Sequence, residues 1–245
     1  MMGQQDNIKS TLWLYDVTRD CLLIGTNLES KRHISSLTKL MTAMVILDSG
    51  LSLTEHLPLA QAHSEPWEHT KNTLTLGEHY TVYELLIALM LSSNNAAATT
   101  LANHYGHNAF IEAMNNKAKS LGMDNTEFVN PTGANGNWST ASDVHIMLLE
   151  SAKYAPIITI NQFKSFITKN TTLDNISQIY KNKIDNVVIA KSGKDMNMSS
   201  SVGLYIANTS KTYTAIILGA DGIHSIGNTL SKFQKITGEL KLHAN

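Results

Sequence analysis

Strand-like apolar runs lie at both ends of this 245-residue chain, and helical periodicity fills the middle. No other feature limits the fold as strongly. Thr11–Tyr15 and Cys21–Gly25 are short apolar runs with aromatic content, and the polar stretch Asp16–Asp20 between them predicts a turn, hence a hairpin. Val187–Ala190, Val202–Ala207 and Tyr213–Leu218 predict three more strands, with Asn208–Lys211 as the loop between the last two. Elements from both ends must share one sheet, which leaves the helical middle as an inserted lobe. The expected class is α/β of the α+β kind, an antiparallel sheet built from both chain ends and flanked by helices. We expect a single domain over 1–245, with a sheet lobe from about 8–35 and 150–245 and a mainly helical lobe from about 36–149. A cleft between the lobes is the natural place for a site.

Within the middle, Leu37, Leu40, Met41, Met44 and Val45 fall on one helical stripe, and Gly50 suits the end of that helix. Thr81 and Glu84 form a capping box ahead of Leu85–Leu91, a segment apolar on nearly every face and so predicted to be buried. Ala96–Tyr105 predicts another helix. Asn108 is placed to cap a third, with Phe110, Ile111, Met114, Ala118 and Leu121 on its apolar stripe and Gly122 past its end. Asn130-Pro131-Thr132-Gly133 is a turn cluster, and Thr140 to Asp143 is a second capping box leading into Val144–Leu149. A final helix is expected from about Ile226 to about Leu240.

Composition excludes several classes. With 19 basic and 20 acidic residues and no basic stripe, a nucleic-acid partner has no electrostatic support. Lys181–Lys191 is Lys-rich, but apolar residues break it up, so it reads as strand and loop. The one cysteine, Cys21, rules out an intrachain disulfide and reads as a small buried hydrophobe. Among ten histidines, His104 and His107 are three apart but separated by Gly106 at a helix end, so no metal site and no cofactor are expected. No run approaches the ~18 apolar residues of a membrane-spanning helix. Met1–Lys9 is polar and lacks the apolar core of a signal peptide.

Three short motifs carry chemistry. Ser36-Leu37-Thr38-Lys39 is an S-x-x-K at the start of the first helix, where spacing i, i+3 puts hydroxyl and amine on one face. A hydroxyl beside a neutral amine is a nucleophile beside its base; alone, the pair also reads as an N-cap serine and a solvated lysine. Ser93-Asn94-Asn95 is an S-x-N element between two helices, overlapped by Ser92-Ser93-Asn94, so spacing leaves its register open. Lys191-Ser192-Gly193 ends the strand Val187–Ala190 as a K-[ST]-G, where a glycine admits another backbone closely. A peptide can lie along that strand edge, with charge from Lys191 and a hydroxyl from Ser192 for a carboxylate. Each motif alone has a bland reading as a polar loop or strand end. Their order is what penicillin-recognising serine enzymes require, with 57 residues from Ser36 to Ser93 and 98 from Ser93 to Lys191.

From about Thr11 to Gly238 the chain resembles the low-molecular-mass penicillin-binding proteins of the D-alanyl-D-alanine carboxypeptidase and endopeptidase group. The resemblance is carried by Ser36-Leu37-Thr38-Lys39-Leu40-Met41-Thr42, by Ala88 to Asn95 with Leu101-Ala102 following, by Leu121-Gly122-Met123, by Asn130-Pro131-Thr132-Gly133, and by Ser139-Thr140-Ala141 with Asp143. It sets the second motif on Ser93 and Asn95. It implies a β-lactamase/transpeptidase-like fold and an acyl-enzyme route on D-alanyl bonds of peptidoglycan stem peptides. In that route Ser36 attacks, Lys39 takes its proton, Ser93 relays a proton to the leaving amine and Asn95 holds the substrate amide. Lys191 joins these four as a catalytic residue, Ser192, Gly193 and Lys194 bind substrate, and the N–H groups of Ser36 and Lys194 form the oxyanion hole. β-Lactams are the implied covalent inhibitors, and the implied location is periplasmic or otherwise extracytoplasmic. Departures from the family pattern are Ile34-Ser35 in place of Pro-Ala, serine in the third motif, and Met198-Ser199 in place of Ala-Gly. The lack of the family's C-terminal β-rich domain and membrane anchor, together with Thr70–Glu78, leans toward the endopeptidase branch. Two rival readings stand beside this one. A class A β-lactamase needs a further glutamate, for which Glu127 is the nearest candidate, although its local pattern does not match. A non-enzymatic binding module of the same fold is the other.

Overall fold

The computed structural model describes residues 10–61, 74–181, 184–195 and 199–237. The N-terminal strands are β1 (Thr11–Asp16), β2 (Cys21–Thr26) and β3 (Arg32–His33). A 3-10 turn over Ser35–Leu37 leads into α1 (Thr38–Asp48). The middle holds β4 (His56–Pro58), β5 (His79–Thr81), α2 (Val82–Leu91), α3 (Asn95–Tyr105), α4 (His107–Ser120), β6 (Trp138–Ser139) and α5 (Ala141–Ser151). Then come α6 (Ala155–Gln162), β7 (Ser165–Ile167), β8 (Thr172–Asp174), α7 (Gln178–Lys181), β9 (Val187–Lys194), β10 (Ser200–Ala207), β11 (Thr212–Ala220) and α8 (Gly222–Thr237).

Both chain ends do share one antiparallel sheet, in the order β2-β1-β11-β10-β9. β1 pairs along its length with β11, Thr11 opposite Leu218 and Asp16 opposite Tyr213. The period-two alternation of β11 explains how the sheet is covered twice. Ile216 and Leu218 face the helices α1 to α5, whereas Ala215 and Ile217 face Ile226, Leu230 and Phe233 of α8. β9 is left as an edge strand, and the motif Lys191-Ser192-Gly193 lies on it.

Several expectations are corrected. α1 has no solvated side: Thr38 to Ile46 are all buried, Lys39 and Thr42 included. Its polar flank is occupied by the Asn130–Gly133 turn, where Thr42 Oγ1 donates to the Pro131 carbonyl at 2.7 Å. Asn108 does not cap α4; Gly106, at φ 102°, stands at that end with no side-chain cap. Thr140 accepts from the Asp143 N–H, but the Asp143 carboxylate turns away to the Asn125 N–H and the Thr126 hydroxyl, so the second box is half formed. The first box, Thr81 with Glu84, is complete. β9 runs four residues beyond Ala190, so the third motif lies inside the strand. Cys21 is half-buried on β2 rather than enclosed. Lys181 ends the short helix α7 instead of lying in strand or loop. The last helix starts earlier than expected, at Gly222, and its expected end at Leu240 lies outside the described residues, as do residues 70–73 and Met198.

Candidate active site

Ser36 sits in the turn that opens α1, and Lys39 lies one turn on. The shared helical face brings Lys39 Nζ to 3.0 Å from Ser36 Oγ. The same amine is 2.7 Å from Asn95 Oδ1 and 2.6 Å from the Thr132 carbonyl. Lys39 is fully buried. Its three acceptors come from three separate pieces of chain, so its position depends on the whole helical side of the molecule.

Asn95 is placed by the α2–α3 junction. α2 stops at Ser92, and Ser93 takes a left-handed conformation, φ 58°, that reverses the chain. Asn94 then caps α3 by accepting from the Ala97 N–H at 2.8 Å, which leaves Asn95 as the first helical residue, facing Lys39. The adjoining Ser93 hydroxyl accepts a bond of 2.9 Å from Lys191 Nζ.

Lys191 is also fully buried, and its second bond, 3.1 Å, goes to the Ser192 carbonyl. No carboxylate is among its hydrogen-bond partners. Burial alone pushes its amine down to about 7, since taking an ammonium out of water disfavours the charged form. Lys191 is therefore held closer to neutrality than its residue type implies.

Gly193 is required sterically. A Cβ at that position would lie 2.6 Å from Ser35 Cβ and 2.7 Å from the Ser36 nitrogen. β9 thus passes directly against the peptide group that carries the nucleophile. Main-chain polarity along β9 follows from its edge position. The Ala190 N–H donates to Asn161 Oδ1 and the Val188 carbonyl accepts from Gln162 Nε2, so the even-numbered residues turn their main-chain groups away from β10. Ser192 and Lys194 continue that outward row, so the Lys194 N–H lies on the free edge of β9. The Ser192 side chain lies on the side of buried Tyr180, and Lys194 is exposed.

Ser36, Lys39, Ser93, Asn95, Lys191 and Gly193 are thus brought together, with Ser192 turned to Tyr180 and Lys194 at the rim. Sequence reasoning missed the Thr132 carbonyl, Gly133 and Asn137. A Cβ on Gly133 would fall 1.9 Å from the Ser35 carbonyl oxygen. Asn137 donates to Thr38 Oγ1 and to the Asn130 carbonyl, both at 2.9 Å, and so straps the turn to α1. The Asn130–Gly133 turn cluster was the signal available, but a main-chain acceptor leaves no mark in residue type. Among the described residues no group of three His, Cys, Asp or Glu could hold a metal ion, and the His104 ring lies 3.3 Å from Glu55. No helix among them is long and apolar enough to cross a membrane.

Chemically, the cluster is a hydroxyl bonded to a buried amine, with a second hydroxyl bonded to a second buried amine. That is equipment for acyl transfer. Comparison with known proteins agrees. The family model described as D-alanyl-D-alanine carboxypeptidase matches residues 2–221. A D-alanyl-D-alanine endopeptidase of Pseudomonas aeruginosa is 36% identical over 200 residues, 78% of this chain and 64% of that protein. One of Escherichia coli is 38% identical over 159 residues, 64% of this chain and 51% of that protein. The chain therefore spans between half and two thirds of the length of these two relatives. Among solved structures, a point mutant of a Streptomyces DD-transpeptidase superposes with a TM-score of 0.83 at 24% identity, covering 94% of this chain and 97% of that one. A Listeria monocytogenes penicillin-binding protein in its cefotaxime-bound form gives 0.82 at 24% identity, covering 92% and 95%. These likenesses establish the β-lactamase/transpeptidase-like fold. Together with the family match, which takes in every motif above, they place the chain in the D-alanyl-D-alanine carboxypeptidase family of peptidases.

Proposed function

We propose that this chain is a serine DD-peptidase that hydrolyses D-alanyl bonds of peptidoglycan stem peptides through an acyl-enzyme on Ser36. The observation that carries the reading is the set of bonds around Lys39. Its neighbours Asn95 Oδ1 and the Thr132 carbonyl can only accept. A neutral amine has two N–H donors and one lone pair. Once deprotonated, an amine that keeps its two N–H groups on those oxygens turns its lone pair to the Ser36 hydroxyl, 3.0 Å away. That is the geometry of a general base poised on its nucleophile.

The remaining steps follow from position. Ser36 Oγ attacks the carbonyl and its proton passes to Lys39. The N–H groups of Ser36 and Lys194 take the charge that develops on the carbonyl oxygen. Ser93, bonded to Lys191, delivers a proton to the leaving amine. Water then releases the acyl group. A β-lactam enters the same path and stalls as an ester, so β-lactams are covalent inhibitors. Because the first relatives named above are endopeptidases, we assign the cross-link bond as the preferred substrate and an extracytoplasmic compartment as the place of action.

The test is intact-protein mass spectrometry after incubation with penicillin, followed by mass analysis of products from purified cell wall. The parent should gain one penicillin mass and Ser36→Ala none. An adduct that persists in Ser36→Ala would overturn the assignment. Release of D-alanine without cleavage of cross-linked dimers would make the enzyme a carboxypeptidase.

A further inference from the structure

We infer that His33 is a positioning residue, which through Ser35 aims the Ser36 N–H of the oxyanion hole. The inference rests on the reading of Ser36 as nucleophile. Its basis is the residue pair that departs from the family's Pro-Ala pattern.

Ser35 is buried and held in the left-handed region, φ 49°. A serine does not adopt that conformation freely; something local must hold it there. Its hydroxyl shares a hydrogen bond of 3.3 Å with His33 Nδ1, the donor depending on the tautomer. The backbone around Ser35 leaves no slack. Its Cβ lies against Gly193, and its carbonyl oxygen lies against Gly133, close enough that a Cβ on either glycine would collide with it. The Ser35 carbonyl and the Ser36 N–H belong to one planar trans peptide group and point in opposite directions. A carbonyl fixed toward Gly133 therefore fixes the Ser36 N–H toward the opposite side. Rotation at Ser35 would swing that N–H away from the developing oxyanion, where alignment decides its worth.

His33 is itself held for this task. It pairs with Trp138 across β3 and β6, and the two rings meet edge to face with centroids 5.9 Å apart. Its Nε2 is buried with no hydrogen-bond partner, an arrangement with no evident benefit to folding. Burial pushes the ring's pKa down from the usual histidine value, against the opposing pull of Asp195.

The experiment measures the rate of acylation by a fluorescent penicillin, separated into the non-covalent binding constant and the acylation rate constant. The variants are His33→Ala, His33→Phe, Ser35→Gly and the double variant His33→Phe/Ser35→Gly. His33→Phe keeps a ring against Trp138, so it serves if His33→Ala fails to fold. Loss of His33 should lower the acylation rate constant by about tenfold or more, against the roughly 10²–10³-fold known for outright removal of one oxyanion donor. The binding constant should stay nearly unchanged. Glycine adopts the left-handed conformation unaided, so in the Ser35→Gly background His33→Phe should cause little further loss. Equal acylation by parent and His33→Phe would overturn the inference, as would an equal loss in both backgrounds, which marks His33 as mere packing. A parent that takes up no penicillin at all would instead defeat the reading of Ser36.

Discussion

Replacing Lys191 by Met should make the protein more stable at neutral and acid pH while abolishing its chemistry. Burial moves the Lys191 amine from 10.5 to about 7. At about 1.36 kcal/mol per unit, that corresponds to roughly 5 kcal/mol of penalty for holding the ammonium inside the fold. Below about pH 7 both folded and unfolded chains carry the proton, and the penalty is present in full. Between about pH 7 and 10.5 the unfolded chain keeps a proton that the folded chain has released. Parent stability therefore climbs by about 1.4 kcal/mol per pH unit across that window. Lys191→Met has no such group, and titrations elsewhere cancel in the difference between the two proteins. Met loses the bonds to Ser93 and the Ser192 carbonyl, about 1 kcal/mol each, but fills a similar volume. The assay is urea denaturation of both proteins at several values from about pH 6 to 9.5. The advantage of the variant should be largest at the acid end and shrink by about 3 kcal/mol between about pH 7 and 9.5. In thermal melts of a chain this size, that narrowing is about 6–12 °C. A stability difference that does not change with pH would refute the account of Lys191 as an amine displaced by burial.

Two further outcomes follow from the geometry. Ser93→Ala should lower turnover on a D-Ala-D-Ala peptide by about 10²–10⁴, the usual range for losing a positioned proton donor; circular-dichroism melting should show a change of only a few degrees, since one bond to Lys191 is lost. Gly193→Ala should fold but acylate poorly, because the new methyl would need the space of Ser35 Cβ and the Ser36 nitrogen; stopped-flow labelling that matches the parent would show that this contact is slack.

The parts of the structure visible in the sequence were those where residue type and conformation coincide. The Thr81–Glu84 box, the all-round apolar α2 and the period-two strands at both ends all formed. The α1 helix formed on its expected stripe, but the reading of Lys39 as solvated failed, because Thr38, Lys39 and Thr42 are enclosed by the Asn130–Gly133 turn and Asn137. Asn108 failed as a cap because α4 starts at His107, directly after Gly106, which puts Asn108 inside its first turn. α6 and the β7–β8 hairpin were missed because they are short and are held by tertiary bonds, such as the Asn175 Nδ2 donation to the Phe163 carbonyl. At the site, side-chain participants were legible as motifs. The Thr132 carbonyl and the close approach of Gly133 to Ser35 were not, because main-chain positions are set by the fold and leave no residue-type signature.

The pairing of β1 with β11 has a consequence in time. Trp13 donates to Thr214 across 201 residues of sequence, and β1 has no partner but β2 until β11 exists. A chain emerging in sequence order carries Ser36 and Lys39 long before it carries Lys191 or the strand that closes the sheet. The entropy of closing so long a loop must be met before any of the central pairing rewards it. The nucleophile and the edge strand that lies against it thus come from distant parts of the sequence and meet only through the shared sheet.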